Sequence, residues 1–266
     1  MLFSAFFLLF FLSPIENDAS DTFRNINSRI IGGYPAHISQ FPFVAAINVE
    51  APGMTWFCGG TLYNDEWIIT AGQCVNQATH FIIRLGSATL NDPDENRITL
   101  SASTYFLHPD FNPDTLDNDI GMIKLHLPIT FTDYVKPVTY LAMNDLLPNT
   151  QVRALGWGQT NDEDAGLSNE LQGATVITLT NDECKITYGS QVKDNMVCID
   201  GNYNEGACHG DTGGPLVLMH PRGYAEFVGI SSFISANGCE SPDPSGYTRV
   251  YSHLDWIKGV ITDNSI

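Results

Sequence analysis

The sequence predicts an all-β sandwich or barrel, on three observations. Short runs rich in β-branched and aromatic residues recur along the chain, Gly, Pro, Asn and Asp punctuate them, and one convincing helix stands at the C-terminal end. The runs fall into two groups of about six, which reads as two packed six-stranded antiparallel β-barrels followed by a C-terminal helix.

The first group comprises 43–49, around Phe43, Ile47 and Val49; 56–62, opening on Trp56 and Phe57; 67–71, with Trp67, Ile68 and Ile69; 81–85, with Phe81, Ile82 and Ile83; 98–107, ending on Tyr105, Phe106 and Leu107; and 120–127, with Ile120 and Ile123. The second comprises 151–157, 171–179, 196–199, 215–219, 227–234 and 246–251. The helix is expected over 252–261, where Ser252-His253-Leu254-Asp255 has the form of a capping box ahead of Trp256, Ile257, Val260 and Ile261.

At 266 residues and 43% hydrophobic content the chain can bury a large core. Its first segment, Leu2 to Leu12, is an unbroken apolar run followed by Ser13-Pro14 and polar residues. That run is too short to span a bilayer and has the form of a secretory signal peptide, expected over 1–20 with cleavage between 13 and 20. Six cysteines follow, an even number in a chain expected to be secreted and extracellular, so a disulfide framework is the natural reading, with fifteen pairings open. No Cys-x2-Cys pair is present and the seven histidines are scattered, which disfavours zinc. Thirty acidic against twelve basic residues give a net charge of −18, which disfavours nucleic acid and anionic membranes as partners.

Several motifs then fall in order along the chain: Arg29-Ile30-Ile31-Gly32-Gly33, Ile69-Thr70-Ala71-Gly72-Gln73-Cys74, Asp117-Asn118-Asp119-Ile120 and Gly210-Asp211-Thr212-Gly213-Gly214-Pro215. Together they resemble the chymotrypsin/trypsin family of serine peptidases, over nearly all of the mature length. The resemblance implies a short propeptide at 21–29, a tryptic activation site between Arg29 and Ile30, and a trypsin-like peptidase domain over 30–266. It also selects the pairing Cys58 with Cys74, Cys184 with Cys198, and Cys208 with Cys239.

In that family's mechanism a histidine deprotonates a serine, an aspartate orients the histidine, and backbone N–H groups stabilise the oxyanion. Asp119 matches the aspartate. Gln73 stands where the histidine belongs, and a neutral amide cannot act as a base near neutral pH. Thr212 stands where the serine belongs and adds a methyl group to the hydroxyl-bearing carbon. Gln73 is expected to bridge Asp119 and Thr212 by hydrogen bonds, keeping the network satisfied without a base. His209, three residues before Thr212, is the nearest histidine in sequence and by the resemblance lies on the cleft rim. His108 matches a common surface segment of the family.

Gly210 and Thr212 are placed for an oxyanion hole. Asp211 resembles the aspartate that pairs with the new terminal ammonium after cleavage before Ile30. The substrate pocket is expected from Gly206 at its base, Ser232 and Ile234 at its mouth, and Ser245 on its wall, which makes any pocket shallow and apolar. Asp92, Asp94 and Glu95 cluster in the region of a calcium loop, but Ser87 replaces a glutamate ligand there, so no metal and no cofactor are expected.

These residues point to a secreted, catalytically inactive or nearly inactive peptidase homologue that acts as a monomer by binding. Its expected partners are a peptide or protein ligand, a peptidase inhibitor or an active peptidase relative. The alternative is a weakly active chymotrypsin- or elastase-like endopeptidase using Thr212 as nucleophile. A third class, an acidic luminal or storage protein, has no ligand.

Overall fold

The computed structural model describes residues 33–163, 166–201 and 206–264. In chain order the strands are β1 (Tyr34–Pro35), β2 (Val44–Ala51), β3 (Met54–Leu62), β4 (Trp67–Thr70), β5 (His80–Leu85), β6 (Ile98–Ala102), β7 (Thr104–Leu107), β8 (Gly121–Lys124), β9 (Tyr140–Leu141), β10 (Gln151–Gly156), β11 (Gln172–Ile177), β12 (Met196–Ile199), β13 (Pro215–Met219), β14 (Ala225–Phe233) and β15 (Ser245–Arg249). Among the described residues three α-helices accompany them: α1 (Gly72–Val75), α2 (Asn181–Tyr188) and α3 (Leu254–Asp263).

The strands form two sheets, one ordered β6-β5-β2-β3-β4-β8-β7 and one ordered β1-β11-β10-β13-β14-β15-β12, with β9 attached to β14. All pairings between these strands are antiparallel except β9 with β14, which is parallel. This is the two-barrel fold with a C-terminal helix. The expected six strands per barrel become seven and eight for physical reasons. The run 98–107 breaks at Ser103 into β6 and β7, and two-residue segments, β1 and β9, add edge pairings to the second sheet.

Alternation builds the walls. In β5, Phe81, Ile83 and Leu85 point inward and are buried, while His80, Ile82 and Arg84 alternate outward. Arg84 there donates to Asn48 Oδ1 at 2.6 Å on the neighbouring β2. Phe41, Trp67 and Phe81 are fully buried large side chains of the principal core, and Val197, Ile199, Leu216 and Tyr247 belong to a second one.

Two helix expectations need correction. α2 was not expected, yet Thr180 and Glu183 make a complete capping box at its start: the Thr180 hydroxyl accepts from Glu183 N at 3.1 Å and Glu183 Oε2 accepts from Thr180 N at 2.8 Å. The capping box expected at Ser252 to Asp255 does not form. A 3-10 turn over Tyr251–His253 runs directly into α3, so those residues are already wound and no side chain caps the helix. α3 is anchored by His253 and by Trp256, whose ring lies 5.1 Å from that of His108.

Disulfides join Cys58 to Cys74, Cys184 to Cys198, and Cys208 to Cys239. The two halves meet where Gly59 N donates to Thr212 O at 2.7 Å. A side chain at Gly59 would put its Cβ 2.6 Å from Gly214 Cα, so only glycine admits this approach of the two backbones.

Candidate functional site

Asp119 lies just before β8 with no exposed surface. Its Oδ1 accepts from Gln73 N at 2.9 Å, and its Oδ2 accepts from Gln73 Nε2 and from Ser232 Oγ, both at 2.6 Å. These are lengths expected of charge-assisted bonds. Burial pushes the carboxyl pKa up, and the bonds from Ser232 and Gln73 oppose the shift. Thr248 Oγ1 donates to the Asp119 carbonyl at 2.8 Å, which ties the residue to β15.

Gln73 is carried by the single turn of α1, whose next residue, Cys74, is bonded to β3. Its Nε2 donates a second time, to the Ser232 carbonyl at 2.9 Å. The amide orientation follows from chemistry, because the amide oxygen in that place would face a carboxylate and a carbonyl oxygen. The expected bridge from Gln73 to Thr212 is absent: both N–H groups of the amide nitrogen are spent on Asp119 and Ser232, and the amide oxygen makes no hydrogen bond to the Thr212 hydroxyl. Among the described residues nothing hydrogen-bonds to the Thr212 hydroxyl.

The turn carrying Thr212 has Gly210 at φ 98° and Gly213 at φ 83°, both in the left-handed region. Neither Gly210 N nor Thr212 N donates to an acceptor among the described residues. Asp211 turns inward, accepting from Gly158 N at 2.7 Å and from Cys208 N at 2.8 Å. Its carboxyl is housed against Gly156 and Gly158, where a Cβ would lie 2.0 Å and 2.5 Å from it. Burial pushes its pKa up to about 6. Arg29 and Ile30 lie outside the described residues.

Beside Thr212 opens a cleft of about 230 Å³ lined by Gln73, Leu116, His209, Ser232 and Ile234, among others. Ile234 is half-buried and packs on the Cys208–Cys239 disulfide and the second core while facing the cleft. The Phe233 ring lies against Gly246, where a Cβ would come within 2.1 Å of it. Tyr188 meets that ring edge-on at 5.2 Å and donates to the Pro244 carbonyl at 2.5 Å, which fixes the aromatic wall. Gly206 and Ser245 are buried side by side, with Ser245 Oγ 3.2 Å from where a Gly206 Cβ would stand, and neither lines the cleft.

Two features beside the site were not expected from sequence. Leu116 adopts φ 57°, a conformation uncommon for leucine that no local motif announces. Leu167 packs its Cδ2 onto Gly210, within 2.3 Å of where a Cβ would stand.

His209 is exposed on the cleft rim and makes no hydrogen bond to Thr212. His108 is half-buried against His253 and Trp256, and burial lowers its pKa. In the region considered for calcium, a guanidinium already supplies positive charge: Arg97 donates to Ser87 Oγ at 3.1 Å and to the Thr89 carbonyl. Asp92 accepts from Asn169 Nδ2 at 2.8 Å, Asp94 accepts from Asn96 N at 2.9 Å, and Glu95 is exposed.

Comparison with known proteins matches residues 30–257 to the family model described as Trypsin. The chain is 34% identical to brachyurin of Leptuca pugilator over 229 residues, covering 86% of this chain and 97% of that protein. It is 32% identical to a collagenase of Hypoderma lineatum over 252 residues, covering 92% of each. A solved structure of HL collagenase superposes with a TM-score of 0.79 at 31% identity, over 88% of this chain and 99% of that one.

Proposed function

The chain belongs to the trypsin family of serine peptidases, and from that premise we propose that it is a catalytically inactive homologue that acts by binding a peptide or protein ligand, or an inhibitor of active peptidases. One observation carries the reading. The group hydrogen-bonded to Asp119 is the Gln73 amide, and no base stands within hydrogen-bond reach of the Thr212 hydroxyl among the described residues. A hydroxyl nucleophile without a base retains only the contributions of binding and oxyanion stabilisation.

The scaffold around that defect supports binding. The cleft is open, and the N–H groups of Gly210 and Thr212 have no acceptor among the described residues. We place the protein outside the cell, because three disulfides are typical of an oxidising compartment. Its charge of −18 opposes binding to nucleic acid or anionic membranes. Cleavage between Arg29 and Ile30 would create an ammonium group for which the buried Asp211 carboxylate is a fitting partner.

The test is a pair of measurements on the purified chain after cleavage at Arg29. Turnover of peptide substrates at rates ordinary for the family would overturn the inactive reading. A titration with protein inhibitors of trypsin-like peptidases and with peptides is expected to show saturable binding, and silence across both would overturn the binding reading.

A further inference from the structure

His253, at the turn that leads into α3, is buried, and both of its ring nitrogens face acceptors. Nδ1 lies 2.9 Å from the Arg249 carbonyl and Nε2 lies 3.3 Å from Asn118 Oδ1. Neighbouring bonds fix which amide atom that is. Asn195 Nδ2 donates to Asp117 Oδ1 at 2.8 Å and to Asn118 Oδ1 at 2.9 Å, while Asn118 Nδ2 donates to the Asp110 carbonyl at 3.1 Å. Reversing either amide would set oxygen against oxygen.

A neutral imidazole has one N–H and can serve only one of these two acceptors, whereas the imidazolium serves both. We propose that His253 is a proton-operated clasp: protonated, it ties the turn before α3 to the segment Asp117-Asn118-Asp119, and neutral, it leaves that link open. The inference concerns a different place from the function proposed above and does not depend on it. What the clasp holds is an unusual stretch of backbone. Leu116 and Asn118, on either side of Asp117, have φ 57° and 53°, a left-handed conformation that is costly for leucine and milder for asparagine. Leu116 also lines the cleft, and Asp119 follows Asn118 directly. With Nε2 protonated, the ring adds a charge-assisted bond that keeps Asn118 in place. With Nε2 bare, a nitrogen and an oxygen lone pair face each other, so acid firms the Leu116 side of the cleft and neutral pH loosens it.

The surroundings decide when the clasp closes. The titratable groups facing the ring are His108, which meets it edge-on at 5.4 Å, and Asp117, with Asp110 acting on His108 from behind. Asp110 N donates to His108 Nδ1 at 3.2 Å, so a neutral His108 carries its proton on Nε2. The Arg249 guanidinium points away, to Asp145 and to the Met196 carbonyl, and α3 contributes the uncharged Trp256 ring beside His108. Burial holds the His253 pKa below its ordinary value; the bond to the Arg249 carbonyl opposes that shift, His108 adds to it, and Asp117 opposes it. The clasp therefore closes in mild acid, and the bond gained at Asn118 offsets part of the cost of burying the charge.

The experiment follows the whole chain from about pH 7 to about pH 4 by two readouts: the nitrogen chemical shifts of the His253 ring, and hydrogen exchange of the backbone amides over 112–118 corrected for the intrinsic effect of pH. Both ring nitrogens are expected to become protonated, and protection over 112–118 is expected to rise severalfold through the same midpoint. Asn118→Gly removes Oδ1 while still accepting the left-handed backbone. In that variant His253 is expected to bind its proton about tenfold more weakly, and the pH dependence of protection is expected to vanish. Protection that ignores the His253 titration, a ring that stays neutral for as long as the chain stays folded, or an unchanged midpoint in Asn118→Gly overturns the inference. Should the variant not fold, the two wild-type midpoints decide, and a mismatch between them overturns it.

Discussion

Gln73 Nε2 donates at once to Asp119 Oδ2, at 2.6 Å, and to the carbonyl oxygen of Ser232, at 2.9 Å. The amide thereby completes the surroundings of a buried carboxylate while turning both of its N–H groups away from Thr212. The side chain at 73 is part of the wall of the cleft.

Restoring the chemistry should require both exchanges. Gln73→His alone and Thr212→Ser alone are expected to leave peptide hydrolysis at background, whereas Gln73→His/Thr212→Ser should gain roughly 10²-fold or more from general base catalysis. Initial rates on peptides with small apolar residues before the scissile bond check this. A gain in the Thr212→Ser single variant equal to that of the double would refute it.

The pocket should limit the restored enzyme. Ile234→Gly added to the double variant opens the space between the Phe233 wall and the Cys208–Cys239 disulfide. Substrates with larger apolar residues should then improve in kcat/KM by about tenfold or more, in line with the discrimination set by a methylene or two. Equal gains on alanine and leucine substrates would show that Ile234 does not gate size.

Asp119 should matter for stability whatever the chemistry of the site. Asp119→Ala strands Gln73 N, Gln73 Nε2 and Ser232 Oγ in the interior. The expected cost is about 3 kcal/mol, read as a lowered midpoint in denaturant with unchanged slope. A shift within the error of the wild type would mean that these donors find other partners.

Asp211 predicts a pH dependence that cleavage removes. Burial raises its pKa to about 6, so its neutral form suits the folded state. The stability it permits is fully present below about pH 3.8 and is lost as pH rises through about 6, by roughly 3 kcal/mol in the uncleaved chain. After cleavage at Arg29 an ammonium beside the carboxylate should flatten or reverse that slope. Unfolding midpoints of intact and cleaved protein between pH 4 and 7 check it, and parallel curves would count against the pairing.

His253 acts in the opposite direction. Its ring is buried, with Nδ1 2.9 Å from the Arg249 carbonyl, and burial is the foremost cause of its lowered pKa. The stability it supports is present above pH 6.5 and is lost as pH falls through its lower folded-state pKa. Its imidazole proton resonances should titrate below 6.5; a midpoint at or above 6.5 would exclude this contribution.

Much of the fold was legible because buried strands advertise themselves. The runs 196–199 and 215–219 coincide with β12 and β13, and most others fall within two residues of the observed bounds. α2 escaped because its sequence, with Ile186 85% exposed and only Cys184 buried, lacks an apolar face. Its signal was the Thr180-to-Glu183 box that caps it. At the site, the residue types at 73, 119 and 212 could be read directly, but the partner of the Gln73 amide could not. Ser232 lies 159 positions away on β14, and only the meeting of the two barrels brings its carbonyl to α1.

The seam between the barrels explains which letters of the Gly210-to-Pro215 turn are free to drift. Gly213 is pressed against Thr70 Oγ1 and the Gly59 carbonyl, Gly214 abuts Gly59, and Asp211 is enclosed beside Gly158. Thr212 is different: its carbonyl is pinned by Gly59 N while its side chain faces the open cleft. Assembly of the two halves thus fixes the frame of the motif and leaves the Thr212 side chain unconstrained by the seam. The turn can therefore carry a different side chain at 212 with no change at the seam.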